Sequence, residues 1–404
     1  MINKNKFYYC CIIFNLLFFI IFNHCTYANT SNPIFSTPNL NSKSAIILEK
    51  STGTVLFGKN ENDIKKMAST TKIMTAIVVL ENTSDLSEIV VVSKKAASIG
   101  GSRLGLSFNS QITVKDLLYG LLLCSGNDSA IALAEFISDN VENFANLMNQ
   151  KALALGLSNT HFVTPHGLDN ENHYTTAYEL ALLTKYALEN KIFSEIVSTH
   201  SYSVAINGNT KIINNTNELL GYLNGVYGVK TGFTNGANRC LVTACKRGDL
   251  DIICIVLGAD TKNFRTQDSI KLIEYAFTNF EMIDINSIIQ KDFSKWQSVS
   301  NFSVNKGVSN HIQTTLEVFP FSKYPVNKTD IDNITTNISC SYNFEAPLSS
   351  QTLIGTLDCY INNLKIRSLN IFSTNTISKK SPLFYLNYFV RDYSIHLETI
   401  FSSR

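Results

Sequence analysis

The sequence predicts an α/β (α+β) fold in which helices flank a mainly antiparallel sheet, followed by a small all-β domain. Apolar strand-like runs lie at both ends of the stretch that reaches Phe280, and segments with helical periodicity fill its middle. Strands at both ends with helices between them favour one antiparallel sheet covered by helices. After Asp284 the chain becomes rich in Asn, Ser and Thr with alternating strand patterns, which predicts the β domain.

The N-terminus has the pattern of a secretory signal. Two lysines precede an apolar run over 7–22, and residues 26–28 offer a small-x-small site that predicts cleavage after Ala28. An uncleaved membrane anchor is the alternative, although the run is short for a spanning helix. We therefore expect the mature protein to work outside the cytoplasm.

Length and composition limit the number of domains and the kinds of partner that the chain can have. A chain of 404 residues with 45% hydrophobic content can bury a large core and has room for two domains. A net charge of +2 without a basic cluster argues against nucleic acid as a partner. The predicted division is a signal peptide over 1–28, a main domain over 29–283, a β-rich domain over 284–376 and a tail over 377–404.

Apolar periodicity predicts the elements of the main domain in order. The predicted helices span 67–82, 114–124, 128–139, 141–155, 176–189 and 266–280, and the predicted strands span 45–49, 55–57, 240–246 and 250–257. Lys230 follows a glycine turn and is expected on a further strand.

The helix predicted over 67–82 carries the candidate chemistry, because its first turn holds Ser69 and Lys72. Residues three apart share a helix face, so the lysine amine can lie beside the serine hydroxyl. The helix is apolar nearly all round and is therefore expected to be buried, a condition under which a lysine can act as a base. Spacing alone proves little, since Ser303 and Lys306 share it, and on spacing alone Ser69 would be interpreted as an N-cap.

Two further motifs follow in order, Ser125-Gly126-Asn127 in a predicted loop and then Lys230-Thr231-Gly232. The three motifs resemble the Ser-x-x-Lys, Ser-x-Asn and Lys-Thr-Gly signature of serine acyl-transferases that react with penicillin. Longer strings are similar to the low-molecular-weight penicillin-binding proteins that are D-alanyl-D-alanine carboxypeptidases. These strings are residues 68–75, 121–128, 159–162, 165–168 and 229–234.

The resemblance implies a β-lactamase/transpeptidase-like fold and a role for each motif residue. Ser69 would be the nucleophile, Lys72 its base and Ser125 the proton shuttle to the leaving amine. The implied substrate-binding residues are Asn127, Lys230, Thr231, Gly232, Phe233 and Arg265. Among them, Phe233 would share an oxyanion hole with the Ser69 N–H, and Arg265 would help to hold a terminal carboxylate. Gly232 is expected to let the substrate backbone pair with the strand edge, which a side chain would block.

The implied activity is removal of the terminal D-Ala from peptidoglycan stem peptides through an acyl-enzyme, with β-lactams as inhibitors. A β-lactamase is one alternative, although the Glu-x-x-Leu-Asn segment of class A enzymes is missing between Asn127 and Lys230. A D,D-endopeptidase and a catalytically silent penicillin-sensing protein are the others. No cofactor or metal is expected, because the spacings of His161, His166 and His173 suit no zinc site.

The last residues predict an amphipathic helix. The apolar stripe consists of Leu383, Leu386, Val390, Tyr393, Leu397 and Ile400, and the opposite stripe of Asn387, Arg391, Ser394 and Glu398. We expect this tail to attach to the outer face of the cytoplasmic membrane, with docking on the β domain as the alternative. Cys240, Cys245 and Cys254 are expected as buried thiols, and pairing of Cys340 with Cys359 stays open.

Overall fold

The computed structural model of the chain describes residues 37–402, so the predicted signal segment lies outside the described residues. The α-helices are α1 (Lys72–Asn82), α2 (Lys94–Ser98), α3 (Val114–Leu122), α4 (Asn127–Ser138), α5 (Val141–Ala154), α6 (Ala177–Glu189), α7 (Lys191–Ser198), α8 (Lys262–Asn279), α9 (Ile285–Val299) and α10 (Pro382–Ser402). The strands are β1 (Ser44–Glu49), β2 (Val55–Lys59), β3 (Ile89–Val91), β4 (Gln111–Thr113), β5 (Ser201–Ile206), β6 (Asn209–Asn214), β7 (Val226–Thr234), β8 (Asn238–Arg247), β9 (Leu250–Ala259), β10 (Phe280–Ile283), β11 (Ser303–Asn305), β12 (Thr314–Leu316), β13 (Tyr324–Asn327), β14 (Ile334–Cys340), β15 (Asn343–Glu345), β16 (Leu353–Ile361) and β17 (Leu364–Ser373).

A central sheet of five antiparallel strands organises the first part of the chain. Its order is β2-β1-β9-β8-β7, so strands from both ends of this part lie side by side. The predicted antiparallel sheet with helices between its sequence-distant strands is therefore confirmed. The strand β7, which carries the Lys-Thr-Gly motif, is an edge strand of this sheet.

Both faces of the sheet are buried, because alternate residues of each strand point to opposite sides. On β1, Ile46 and Leu48 belong to a large cluster that includes the helices α1, α3 and α4. Ala45 and Ile47 belong to a second cluster on the other face, where α8 packs. The apolar α1 is buried along nearly its whole length, as the sequence predicts, and is thereby held firmly against its neighbours.

The prediction differs from the structure at several elements. The segment predicted as the first turn of one α-helix is a separate 3₁₀-helix, Ala68–Thr71, and α1 begins only at Lys72. The helix α8 starts at Lys262 rather than at residue 266, because Thr261 caps it through the Phe264 N–H. The sequence analysis also missed α7 and the hairpin of β5 and β6.

The region after residue 284 contains the predicted β-sheet, but it opens with a helix, α9, that the sequence analysis did not predict. Ile285, Ile289 and Phe293 share one face of α9 and join a third apolar cluster with the four-stranded sheet β12-β17-β16-β14. Trp296 on the same helix stacks on Phe293 with ring centroids 5.5 Å apart and meets Phe302 edge to face at 6.1 Å. The division of the chain into domains at residue 283 stays a prediction.

The described cysteines are free thiols, including Cys340 and Cys359 on the neighbouring strands β14 and β16. Cys240, Cys245 and Cys254 are buried in the central sheet, as predicted. Burial raises the pKa of the Cys240 thiol to about 11, so it is protonated at neutral pH. These residues pack as small apolar side chains.

The predicted tail is helical, as α10 shows. Leu383, Leu386, Val390 and Tyr393 of its apolar stripe are each more than half exposed, so these side chains are not docked on the β-rich region. No helix within residues 37–402 combines the length and apolar character needed to cross a membrane.

Candidate active site

A tight turn presents Ser69 to solvent. The 3₁₀-helix Ala68–Thr71 has three residues per turn, so Ser69 and Lys72 lie above one another. Lys72 Nζ lies 2.9 Å from Ser69 Oγ. Ala68, just before the serine, has a left-handed backbone with φ of 50°, a conformation that costs free energy in a residue with a side chain. The predicted nucleophile and base are therefore adjacent.

Lys72 is completely buried, and its amine has two other neighbours. Nζ donates to Asn127 Oδ1 at 2.7 Å and to the His166 backbone oxygen at 2.9 Å. Both oxygens accept hydrogen bonds and neither donates. A neutral amine has two N–H groups and one lone pair. If these oxygens take the two N–H groups, the lone pair faces the Ser69 hydroxyl, as a base requires.

The electrostatics favour that neutral form. Burial, followed by the charge of Lys230, lowers the pKa of Lys72 well below its usual range. Burial also lowers the pKa of Lys230 to about 7, with Arg265 acting in the same direction. The burial of Lys72 that the sequence analysis expected is therefore present, and the charge of Lys230 acts in the same direction on its pKa.

The second motif is built on the turn into α4. Ser125 has a left-handed backbone with φ of 63°, and Asn127 is the first residue of the helix rather than a loop residue. The Asn127 side chain uses both ends of its amide inside the protein, since Nδ2 donates to the Gly100 backbone oxygen at 2.7 Å. Asn127 thus holds Lys72, and because its Nδ2 has a second N–H donor, its role in substrate binding stays a prediction.

Asp128 fixes this turn against the preceding loop. Its carboxylate accepts backbone N–H groups of Leu104, Gly105 and Leu106 at 2.8, 2.8 and 3.0 Å. The residue is fully buried, so these charge-assisted bonds are shielded from water. The sequence analysis did not single out Asp128, although it directly follows the Ser-x-Asn motif.

The third motif lies on β7, as predicted. Thr231 Oγ1 lies 2.8 Å from Thr216 Oγ1, and Lys230 is buried beneath the strand. A Cβ at Gly232 would lie 3.2 Å from Ala68 Cβ and 3.2 Å from the Met67 backbone oxygen. The glycine therefore lets the edge strand approach the turn that holds Ser69. The sequence analysis expected the substrate backbone to occupy the space beside Gly232, whereas in the structure the turn that holds Ser69 lies there.

One cleft of about 540 Å³ brings most of the predicted residues together. It is lined by Ser69, Ser102, Ser125, Asn215, Thr216, Glu218, Thr231, Gly232, Phe233, Arg239, Lys262 and Arg265. Six of the nine predicted site residues are in this lining, and Lys72, Asn127 and Lys230 lie behind it. Phe233 is 47% exposed, with the Arg239 guanidinium stacked 3.6 Å from its ring centroid.

A charged cluster lines the cleft, and the sequence analysis named only its Arg265 and missed Glu218 and Lys262. Glu218 lies between two cations, with Arg265 Nη2 at 2.7 Å and Lys262 Nζ at 2.6 Å. It also accepts a hydrogen bond from the Thr266 hydroxyl. Arg265 lies inside α8 and is buried. No motif marks Glu218, which comes from the irregular segment between β6 and β7.

The three histidines have separate partners among the described residues. His173 Nδ1 accepts the Val163 N–H at 3.0 Å, and its Nε2 lies 2.7 Å from Thr71 Oγ1. His166 Nδ1 accepts the Leu168 N–H at 3.1 Å. Burial lowers the pKa of His166 to about 3 and that of His173 to about 4, so both are neutral. His166 and His173 thus support Lys72 and the Ser69 turn.

Comparison with known proteins gives the same assignment. The sequence profile described as D-alanyl-D-alanine carboxypeptidase (peptidase S11) matches residues 31–261. D-alanyl-D-alanine carboxypeptidase DacF of Bacillus subtilis is 36% identical over 320 residues, which cover 78% of this chain and 80% of DacF.

Solved structures match a longer part of this chain than the sequence profile does. The D-alanyl-D-alanine carboxypeptidase DacD from Francisella tularensis superposes with a TM-score of 0.69 at 25% identity, covering 88% of this chain and all of that one. Penicillin binding protein 5 from Haemophilus influenzae gives a TM-score of 0.69 at 26% identity, covering 85% of this chain and all of that one. The predicted fold class is therefore confirmed, and the chain belongs to the D-alanyl-D-alanine carboxypeptidase family of serine peptidases.

Proposed function

We propose that this enzyme removes the terminal D-alanine of peptidoglycan stem peptides through an acyl-enzyme on Ser69. Family membership makes the protein a serine-type hydrolase of D-alanyl-D-alanine and a target of β-lactams. The position of Lys72 carries the residue assignment, since a buried amine with a lowered pKa lies 2.9 Å from the Ser69 hydroxyl. A serine is a poor nucleophile until such a neighbour takes its proton.

The reaction then proceeds in two halves. Ser69 Oγ attacks the carbonyl carbon of the penultimate D-alanine while its proton passes to Lys72. The C–N bond breaks, and the terminal D-alanine leaves as an amine that receives a proton through Ser125. Water next attacks the ester, which releases the shortened peptide and restores the Ser69 hydroxyl. The N–H groups of Ser69 and Phe233 are assigned to the oxyanion in both halves.

Substrate selection requires recognition of the free terminal carboxylate. We assign this carboxylate to the end of the cleft that Thr231 and Arg265 line, with Lys230 as a buried positive charge beneath it. Asn127 positions Lys72, and we also assign it to the substrate through the second N–H of its Nδ2. Gly232 keeps the edge strand close to the nucleophile.

We assign the active site to the outer side of the cytoplasmic membrane, with α10 as a peripheral anchor. The exposed apolar stripe of α10 follows Lys379 and Lys380, and an amphipathic helix beside cations suits an anionic lipid surface. The basic and apolar N-terminal sequence supports export.

Labelling with a fluorescent penicillin tests the nucleophile and its base. Ser69→Ala should abolish covalent labelling, and Lys72→Ala should slow it by a factor on the order of 100 to 10,000, because it removes a general base. Ser303→Ala is the matched control, since Ser303 has the same spacing to a lysine but lies on β11, where Lys306 pairs with Glu345. Labelling that persists in Ser69→Ala would exclude this assignment.

The rate of D-alanine release should depend on pH in a bell shape. Activity rises on the acid side as Lys72 loses its proton, because only the neutral amine is a base. It falls as pH passes about 7, because Lys230 then loses the charge that attracts the substrate carboxylate. Lys230→Arg, which stays charged, should move the falling limb to higher pH. Lys246→Arg, exposed on β8, should leave the profile unchanged, and an unmoved limb in Lys230→Arg would contradict the prediction.

Thr231→Val tests recognition of the carboxylate. A hydroxyl bonded to a charged group contributes about 1.5 to 3 kcal/mol, so kcat/KM on a free-acid D-Ala-D-Ala peptide should fall roughly 10- to 150-fold. An amidated peptide should lose much less. Thr243→Val on β8 is the control, because its buried hydroxyl has no hydrogen-bond partner among the described residues. Equal losses on both peptides would show that Thr231 supports the fold instead.

Deleting residues after Ser381 tests the anchor. The truncated protein should no longer sediment with phosphatidylglycerol vesicles, while its soluble activity is retained. Leu386→Glu should weaken binding because it places a charge in the apolar stripe, whereas Asn387→Glu on the opposite stripe should have a much smaller effect. If the full-length and truncated proteins sedimented equally with the vesicles, α10 would not be the membrane anchor.

A further inference from the structure

The Glu218 carboxylate lines the part of the cleft that is assigned to the substrate carboxylate. It lies 2.7 Å from Arg265 Nη2 and 2.6 Å from Lys262 Nζ, and all three side chains line the cleft. An anion therefore already faces the two cations of α8 when no substrate is present. A second carboxylate that reaches Arg265 must come close to this first one.

Glu218 is charged when the enzyme works. Partial burial raises the pKa of its carboxyl group, but hydrogen bonds from Lys262 and Thr266 and the charge of Arg265 outweigh burial, so the pKa is lowered. The side chain is about one third exposed, at 31%. It therefore acts on an approaching ligand through a partly screened medium rather than through dry protein.

We propose that Glu218 is a specificity-determining residue that opposes the binding of the substrate's terminal carboxylate. It competes as an internal anion for Arg265 and Lys262 and lowers the preference of the cleft for free-acid ligands over uncharged ones. This inference rests on the proposed function, because it concerns the same carboxylate of the same substrate class. Replacing Glu218 should therefore strengthen recognition of the substrate carboxylate, whereas replacing Thr231 should weaken it.

Glu218→Gln is the direct test, because glutamine keeps the size and the hydrogen-bond acceptor while removing the charge. Two like charges a few ångströms apart repel appreciably even near a protein surface, and water screens part of that repulsion. We therefore expect the ratio of kcat/KM on a free-acid D-Ala-D-Ala peptide to that on its amide to rise roughly three- to tenfold. Glu218→Ala should move the ratio in the same direction and serves if the glutamine variant does not fold.

Glu274→Gln is the matched control. Glu274 lies on α8 as well and pairs with Arg247 at 2.7 Å, but it does not line the cleft. Its substitution removes the same charge from an equivalent ion pair. It should leave unchanged the ratio of kcat/KM on the free-acid peptide to that on its amide. A rise in this control equal to that in Glu218→Gln would attribute the effect to net charge and overturn the proposal.

A second pair of ligands separates this inference from the proposed function. Benzylpenicillin carries a carboxylate and its methyl ester does not, so the ratio of their acylation rates can be measured even if the wild-type protein releases no D-alanine from peptides. The proposed function fails in that case, whereas the inference still requires a higher ratio in Glu218→Gln. An unchanged or lower ratio, or equal losses on both ligands, would overturn it.

Discussion

A lysine amine held away from water, among oxygens that carry no charge, is the feature on which the site depends. Lys72 contacts an amide oxygen and a backbone carbonyl but no carboxylate. A carboxylate there would stabilise the ammonium form and remove the base. Asp128 directly follows the Asn127 that holds Lys72, and its oxygens are occupied by backbone N–H groups of the preceding loop. The two oxygens that accept from Lys72 thus hold its amine without adding a negative charge to it.

Close backbone packing is the second requirement, and small residues meet it. A Cβ at Gly167 would lie only 1.9 Å from the Ala68 backbone oxygen, and a Cβ at Gly232 would lie 3.2 Å from the Met67 backbone oxygen. The turn before Ser69 is therefore enclosed by backbone from two sequence-distant segments. Ala68 and Ser125 both keep left-handed conformations within this packing. Such strain persists only where the surroundings determine the conformation fully, which is typical of preorganised sites.

The sequence predicted the sheet, most helices and the three motifs because each rests on a local pattern. It did not distinguish a 3₁₀ turn from an α-helical one at Ser69, since residues three apart share a face in both. The helix α9 was missed although Ile285, Ile289 and Phe293 recur every four residues, because the polar composition around them favoured strands. Glu218 could not be found, because its role arises from side chains of α8 that lie far along the chain. The pKa shifts were predictable in direction only, since they depend on burial.

The aromatic packing around Trp296 determines what the tryptophan fluorescence of this chain reports. The sequence contains a single tryptophan, and that residue lies in the apolar cluster of the region after residue 284, outside the catalytic cleft. Its indole packs between Phe293 and Phe302 and is only partly exposed. Tryptophan fluorescence from this protein therefore reports on the packing of that cluster. It responds little to ligand binding or acylation at Ser69. The protein thus carries an intrinsic fluorophore for the packing of the region after residue 284.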